Sequence, residues 1–229
     1  QRWPGSFSEF ITVPAEKLVK LPDHIDDELG VLVEPLAVAV HAIRVAEPKL
    51  GDTALICGAG TIGLTILMAA LEAGVQQVIV TDVFDFNLEV AKSLGATTTV
   101  NVRNQSVLDA VRGATAGLGV DIAWVTAGVG PALVDAVRST RKQGKVVAVA
   151  LFDEPVSLDM FDFVGTERIL VGSQMYVPQD FTYAIRILSK RAESAKKLIT
   201  HRMPMTDVQK AFTIAADHPE NSVKVLLHF

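Results

Sequence analysis

The sequence predicts an α/β fold built on a doubly wound parallel sheet. Three observations carry this. Short Val- and Ile-rich runs alternate with helical patterns from Thr53 onward. The runs are apolar throughout rather than at every second residue, as strands buried on both faces must be. A glycine-rich turn, Gly58-Ala59-Gly60-Thr61-Ile62-Gly63, joins the first such run to the first such helix.

The elements follow in order. Ala54–Cys57 reads as a buried strand, and Ile62–Ala73 as a helix ending before Gly74, a suitable C-terminal cap. Gln77–Asp82 is the second strand, and Phe86–Leu94 a helix closed by Gly95. Thr97–Asn101 is the third strand and Val107–Ala114 a short helix. Val120–Ala127 is the fourth strand, and Pro131–Arg141 a helix with proline in its first turn. Lys145–Leu151 and Ile169–Gly172 are the fifth and sixth strands. Strict alternation gives right-handed crossovers and the strand order 3-2-1-4-5-6. The ends break this rhythm. Phe7–Leu21 reads as strand and turn, Phe181–Arg191 and Asp207–Asp217 as helices, and Val223–Leu227 as a closing strand.

Composition narrows the function classes. Over 229 residues, 49% are hydrophobic and 21% charged, a globular balance with ample core material. The formal charge of −5 argues against a nucleic-acid partner, which would want a basic face. One cysteine, Cys57, excludes a disulfide framework and any multi-cysteine zinc site within this chain. A cytosolic protein fits. Gln1–Phe10 lacks the pattern of a signal peptide, and a start at Gln1 reads as a cut inside a longer protein. The uncharged run Thr53–Leu71 is long enough for a membrane span. Its three glycines, with a turn in the middle, fit a buried strand, loop and helix better, so no membrane contact is expected.

The glycine motif is weak by pattern alone. Its place between strand and helix is what strengthens it. The first glycine permits the tight turn, the second admits a pyrophosphate, and the third lets helix and strand pack closely. The helix start offers free N–H groups and a partial positive charge to phosphates. A glycine-rich turn in a nucleotide-free fold is the competing reading. Asp82 ends the second strand, 19 residues beyond Gly63, where an acid accepts from the adenosine ribose hydroxyls and repels a 2′-phosphate. Val83 to Asn87 contain no Arg or Lys to hold that phosphate, so the cofactor reading is NAD. Asp82 also suits the cap of the following helix.

Glu34 lies in the apolar stretch VEPLAVAVH, where a carboxylate is costly unless paired, protonated or bound to metal. His41 sits two turns on, near the same face, so the two could bound a site. On composition alone, a helix-start acid and a half-buried core histidine is the favoured reading of the pair. The other histidines, His24, His201, His218 and His228, are scattered, and no H-E-x-x-H, Tyr-x-x-x-Lys or G-x-S-x-G pattern occurs. Lys190, Arg191, Lys196 and Lys197 read as a solvated face.

These motifs, in order, resemble the C-terminal two-thirds of a zinc-dependent medium-chain alcohol dehydrogenase. GSFSEFITVPAEKLVKLPD, LVEPLAVAVHAI, LICGAGTIGL, VIVTDVFDFNLEVAKSLGA, VDIAWVTAGV and LITHRMPMTDVQKAF carry the likeness from end to end. VEPLAVAVH resembles the polyol branch: sorbitol, xylitol and butanediol dehydrogenases. The resemblance implies an oxidoreductase that uses NAD and, in the intact parent, zinc, acting on a small alcohol, diol or polyol. It places Glu34 at the catalytic zinc, as a ligand or through its water, with the other ligands outside this chain. It places Gly58, Gly60, Thr61, Ile62, Gly63, Asp82, Val83, Asn87, Thr126, Val149 and Ala150 against the cofactor. Met175 stands where sorbitol dehydrogenases carry Arg, which disfavours a long polyol. It implies a Rossmann domain at 26–175, between a remnant of a GroES-like catalytic domain at 1–25 and a returning segment at 176–229. It also implies a homodimer or tetramer through the edge strand at 168–173. A non-catalytic NAD-binding sensor would have no use for Glu34 or for the tail. A zinc-free reductase of the same superfamily would have no metal for Glu34 to meet.

Overall fold

The computed structural model describes residues 5–217 and 219–229. Gln1–Pro4, the head of the segment read as free of a signal peptide, and His218 lie outside the described residues.

A short helix α1 (Asp27–Gly30) leads into α2 (Val33–Ala46). The alternating core follows: β1 (Thr53–Cys57), α3 (Thr61–Glu72), β2 (Gln77–Asp82), α4 (Asp85–Leu94), β3 (Thr98–Asn101) and α5 (Val107–Ala114). It continues through β4 (Val120–Val125), α6 (Gly130–Ser139), β5 (Thr140–Ala148), α7 (Met160–Gly165) and β6 (Ile169–Gly172). The six strands pair in parallel in the order β3-β2-β1-β4-β5-β6, as the sequence predicts. The tail adds α8 (Pro178–Lys190), α9 (Ala192–Ala195), β7 (Ile199–Pro204), α10 (Val208–Asp217) and β8 (Lys224–His228). β7 and β8 form a separate two-stranded parallel pair.

The strands are continuously apolar because both faces of the sheet are covered. Side chains alternate across a strand. Ala54 and Ile56 of β1 join the cluster under α2, α3 and α8, while Leu55 and Cys57 join the cluster under α5 and α6. β4 divides likewise, with Ile122 and Trp124 on one side and Ala123 and Val125 on the other. Trp124 is fully buried, and its indole N–H donates to the Ala42 carbonyl of α2. That bond satisfies the one polar atom of the largest core side chain. The uncharged run Thr53–Leu71 divides into β1, the turn and a buried α3. Asp27–Ala46 is long and apolar enough to cross a membrane by length and composition alone, and most of its apolar residues are packed into the core.

Two expectations are corrected. Phe7–Leu21 holds no strand among its described residues, only a 3-10 turn at Ala15–Lys17, and Phe7, Phe10 and Leu18 are exposed. Its apolar residues found no neighbouring strand to pair with. The fifth strand starts at Thr140, not Lys145, so α6 stops at Ser139. The pairing with β4 shifts register between Val120 and Ile122. Gln143 adopts φ 59° and Gly144 packs against Thr140, so the polar RKQG stretch, which the sequence divides between the end of a helix and the gap before a strand, is an irregularity within a strand.

β1 and α3 approach each other at their shared turn. A Cβ on Gly63 would run into the carbonyl oxygen of Gly58. Alanine normally stabilises a helix relative to glycine. Here Gly63→Ala should reverse that sign and cost about 1–3 kcal/mol by overpacking. Gly113→Ala, in α5 with open space around it, should gain about 0.4–1 kcal/mol. Urea unfolding midpoints at unchanged slope measure both. Two substitutions of the same sign would contradict the close approach.

Candidate functional site

The loop after β1 is shaped by its glycines and tied down by β4. Gly58 has φ +113°, and a Cβ there would lie 2.6 Å from the Thr126 hydroxyl. That hydroxyl lies 3.0 Å from the carbonyls of Cys57 and Gly58, and the N–H groups of Thr126 and Ala127 both donate to Cys57. Gly60 is the N-cap of α3, is exposed, and has nothing within 4 Å of a Cβ position. No side chain caps the helix. A helix start left without a cap keeps unsatisfied N–H donors and the positive end of its dipole. Around Gly60 they face open space that an anion can enter.

Asp82 flanks this loop. One carboxylate oxygen accepts from the Ala59 N–H at 2.7 Å, the other from the Phe84 N–H at 2.9 Å. The second bond closes a turn ahead of α4, whose N-cap is Phe84 with no side-chain cap, so Asp82 does not cap that helix. Each oxygen retains a lone pair for a further donor. Val83 follows, partly exposed. Beneath these residues lies a cavity of about 250 Å³ at the carboxyl ends of β1, β2 and β3, walled by α5 and α6. Larger hollows occur elsewhere, but none of them touches the glycine loop.

The other expected contacts distribute unevenly. Val149 and Ala150 follow β5, are half-buried, and both donate their N–H to the Val125 carbonyl, beside the Thr126 turn. Thr61 and Ile62 open α3. The Thr61 hydroxyl donates to the Val223 carbonyl at 2.7 Å, and Ile62 packs on the core. Asn87 faces inward on α4. It is 5% exposed, and its amide oxygen is closed off with no protein donor.

Glu34 and His41 do not form one site. Glu34 is exposed at the start of α2 rather than enclosed by it. Burial, then the charge of Glu34 and its hydrogen bond, hold the Tyr176 phenol above its ordinary pKa. His41 Nδ1 instead lies 3.0 Å from Asp180, which also takes Arg44 at 2.6 Å and the Val177 N–H at 2.8 Å. Asp180 is fully buried at the first turn of α8. Burial alone would raise its carboxyl; the Val177 N–H, Arg44 and His41 outweigh burial and hold it below the usual range. His41 is thus a half-buried structural histidine. Among the described residues no three His, Cys, Asp or Glu side chains gather as a metal site. Cys57 is enclosed, and burial pushes its thiol up to about 12, so it is neither nucleophile nor ligand.

Three features escaped the sequence. Arg103, from the β3–α5 loop, stacks over the Phe84 ring at 5.3 Å, two residues beyond Asp82. It lies well beyond Val83 to Asn87, the stretch that lacks Arg and Lys. Asp135 of α6 lines the cavity, and burial raises its carboxyl. Asp180 carried no motif at all; its role depends on α8 folding back onto α2.

The chain is similar to known proteins along nearly its whole length. Residues 61–190 match the family described as zinc-binding dehydrogenase. The sorbitol dehydrogenase of Bacillus subtilis is 30% identical over 224 residues, covering 98% of this chain and 64% of that protein. The (R,R)-butanediol dehydrogenase of the same organism is 33% identical, covering 97% of this chain and 64% of that protein. The crystal structure of 2R,3R-butanediol dehydrogenase from B. subtilis superposes with a TM-score of 0.90 at 32% identity, over 98% of this chain and 64% of that one. The chain spans just under two-thirds of the length of these relatives.

Asp180 carries a prediction about acid stability. Its folded pKa is depressed, so its contribution is present above the ordinary aspartate value of about 4 and is lost as pH falls through the lower folded value. Asp180→Asn should cost about 1–3 kcal/mol at neutral pH. The gap from the parent should close in acid. Urea titrations at pH 7 and at pH 3 measure it, and a gap that widens in acid would refute the assignment.

Proposed function

Because the chain belongs to the zinc-binding dehydrogenase family, we propose that it is the dinucleotide-binding part of an NAD-dependent oxidoreductase that acts on a small alcohol, diol or polyol. The observation that carries this is the uncapped start of α3 behind Gly58 and Gly60, with the Asp82 carboxylate beside it. The pyrophosphate meets the N–H groups of the loop and of Thr61 and Ile62. Asp82 accepts from the adenosine ribose and opposes a 2′-phosphate. Thr126, Val149 and Ala150 stand at the crevice where the nicotinamide lies, and Val83 borders the adenosine side. Asn87 belongs to the same proposed set, through the first turn of α4. When bound, NAD supplies the hydride acceptor; the protein supplies position and field.

Zinc does not fit the described residues by themselves. A zinc ion takes about four ligands, three or more of them from protein. Among the described residues no three His, Cys, Asp or Glu side chains gather for one, and Glu34 has the Tyr176 phenol as its hydrogen-bond neighbour. We propose that Glu34 serves as a single or water-mediated ligand, with the rest supplied by the third of the relatives' length that this chain does not span. We divide the chain at 1–25, 26–175 and 176–229, with α8 packed back on α2 of the core. Met175 before Tyr176 favours a small diol over a long polyol. Cytoplasmic residence accords with this chemistry.

Titration calorimetry should show NAD bound more tightly than NADP. Asp82→Ala should weaken NAD about tenfold or more by removing charge-assisted hydrogen bonds. It should also narrow the preference, with Arg103 left as a nearby cation. The same chain, supplied with zinc and with butanediol, sorbitol or xylitol, should form no NADH. Tighter NADP binding by the parent chain, or turnover with stoichiometric zinc, would overturn the reading.

We also propose a homodimer, or a tetramer built from such dimers, through β6. It is an edge strand with Ile169 51% and Leu170 38% exposed, and edges of this kind pair with another chain. Two-fold pairing closes the edge on itself. Light scattering should report a dimer that Leu170→Lys converts to monomer. A monomeric parent at high concentration would refute it.

A further inference from the structure

Asp135 has no use in the binding described so far. It projects from α6 into the 250 Å³ cavity, whose walls include Val83, Val102, Val107 and Ala132. The other carboxylate there, Asp82, is satisfied by two backbone N–H groups. Asp135 has no hydrogen bond or ion pair among the described residues; Arg138, one turn on, acts on it only through space. Asp135 is half-buried, so its carboxylate meets the cavity on one side and water on the other. Burial raises its pKa, consistent with a charge that lacks its partner.

The position says what the partner is. Asp82, which takes the ribose, borders the same cavity. The base is joined directly to that ribose, and a mostly apolar pocket is what a heteroaromatic ring needs. Adenine presents ring nitrogens that only accept and one exocyclic amine that donates. An ionised carboxylate only accepts, so of these groups it can pair with the amine alone. We infer that Asp135 is a specificity residue that accepts from the exocyclic amine of the adenine base. This rests on the dinucleotide reading above and adds to it a determinant for the base itself.

The test uses NAD and its deaminated analogue, nicotinamide hypoxanthine dinucleotide, in which a carbonyl oxygen replaces the amine. By calorimetry the parent chain should bind NAD about tenfold tighter, the value of one charge-assisted hydrogen bond. Asp135→Asn, nearly isosteric, should abolish or invert the ratio, because its amide can donate to the carbonyl. Asp135→Ala should bring the ratio close to one without inverting it. Asp82→Ala should weaken both dinucleotides and leave their ratio intact. A parent chain that binds both equally, or an Asp135→Asn chain with an unchanged ratio, overturns the role of Asp135 and leaves the dinucleotide reading standing. A parent chain that binds neither overturns both. If either Asp135 variant fails to fold, the other still reads the ratio.

Discussion

The close packing of α3 on β1 is the constraint on which the rest of the structure depends. Gly63 lets the helix backbone reach the carbonyl of Gly58, and Gly58 takes a conformation that a side chain would strain. The helix must then begin immediately after the strand, with Gly60 as its N-cap and no side chain to satisfy its first N–H groups. An uncapped helix start is a defect in a protein with no ligand. At the carboxyl edge of a parallel sheet it offers N–H donors to an anion. The same geometry aligns β2 so that Asp82 can hold the Ala59 N–H, and aligns β4 so that Thr126 can hold the loop from the other side.

A second polar centre holds the tail to the core. Asp180 is fully buried, yet it carries His41, Arg44 and the Val177 N–H. A buried charge persists only when its lone pairs are filled in this way. Its partners tie the start of α8 to the middle of α2, and α2 is in turn held through the Trp124 indole. Tyr176, one step before α8, is thereby brought to Glu34. The buried cluster thus sets the position of the exposed carboxylate proposed to meet a metal, although the two share no atoms.

The readable part of the site consists of residues whose meaning is local. Three glycines at fixed spacing between a strand and a helix, and an acid at the end of the next strand, describe a turn and its neighbour. Nothing distant is needed to interpret them. The strand order was legible for a related reason: continuously apolar strands must be covered on both faces, and alternation with helices leaves few topologies. Phe7–Leu21 and the RKQG stretch misled because strand pairing is decided by a partner, and neither segment's partner is written in its own residues.

The sequence by itself determined the sheet, the glycine turn, the acid at Asp82 and the family resemblance. Each of these follows from spacing along the chain and from backbone sterics. Only the tertiary structure decided what Glu34, His41, Arg103, Asp135 and Asp180 stand beside. His41 meets a carboxylate 139 residues away, and Arg103 reaches Phe84 from another strand's loop. A charged side chain takes its function from the groups that solvate it in place of water. Those groups are chosen by packing between elements, which no local pattern records.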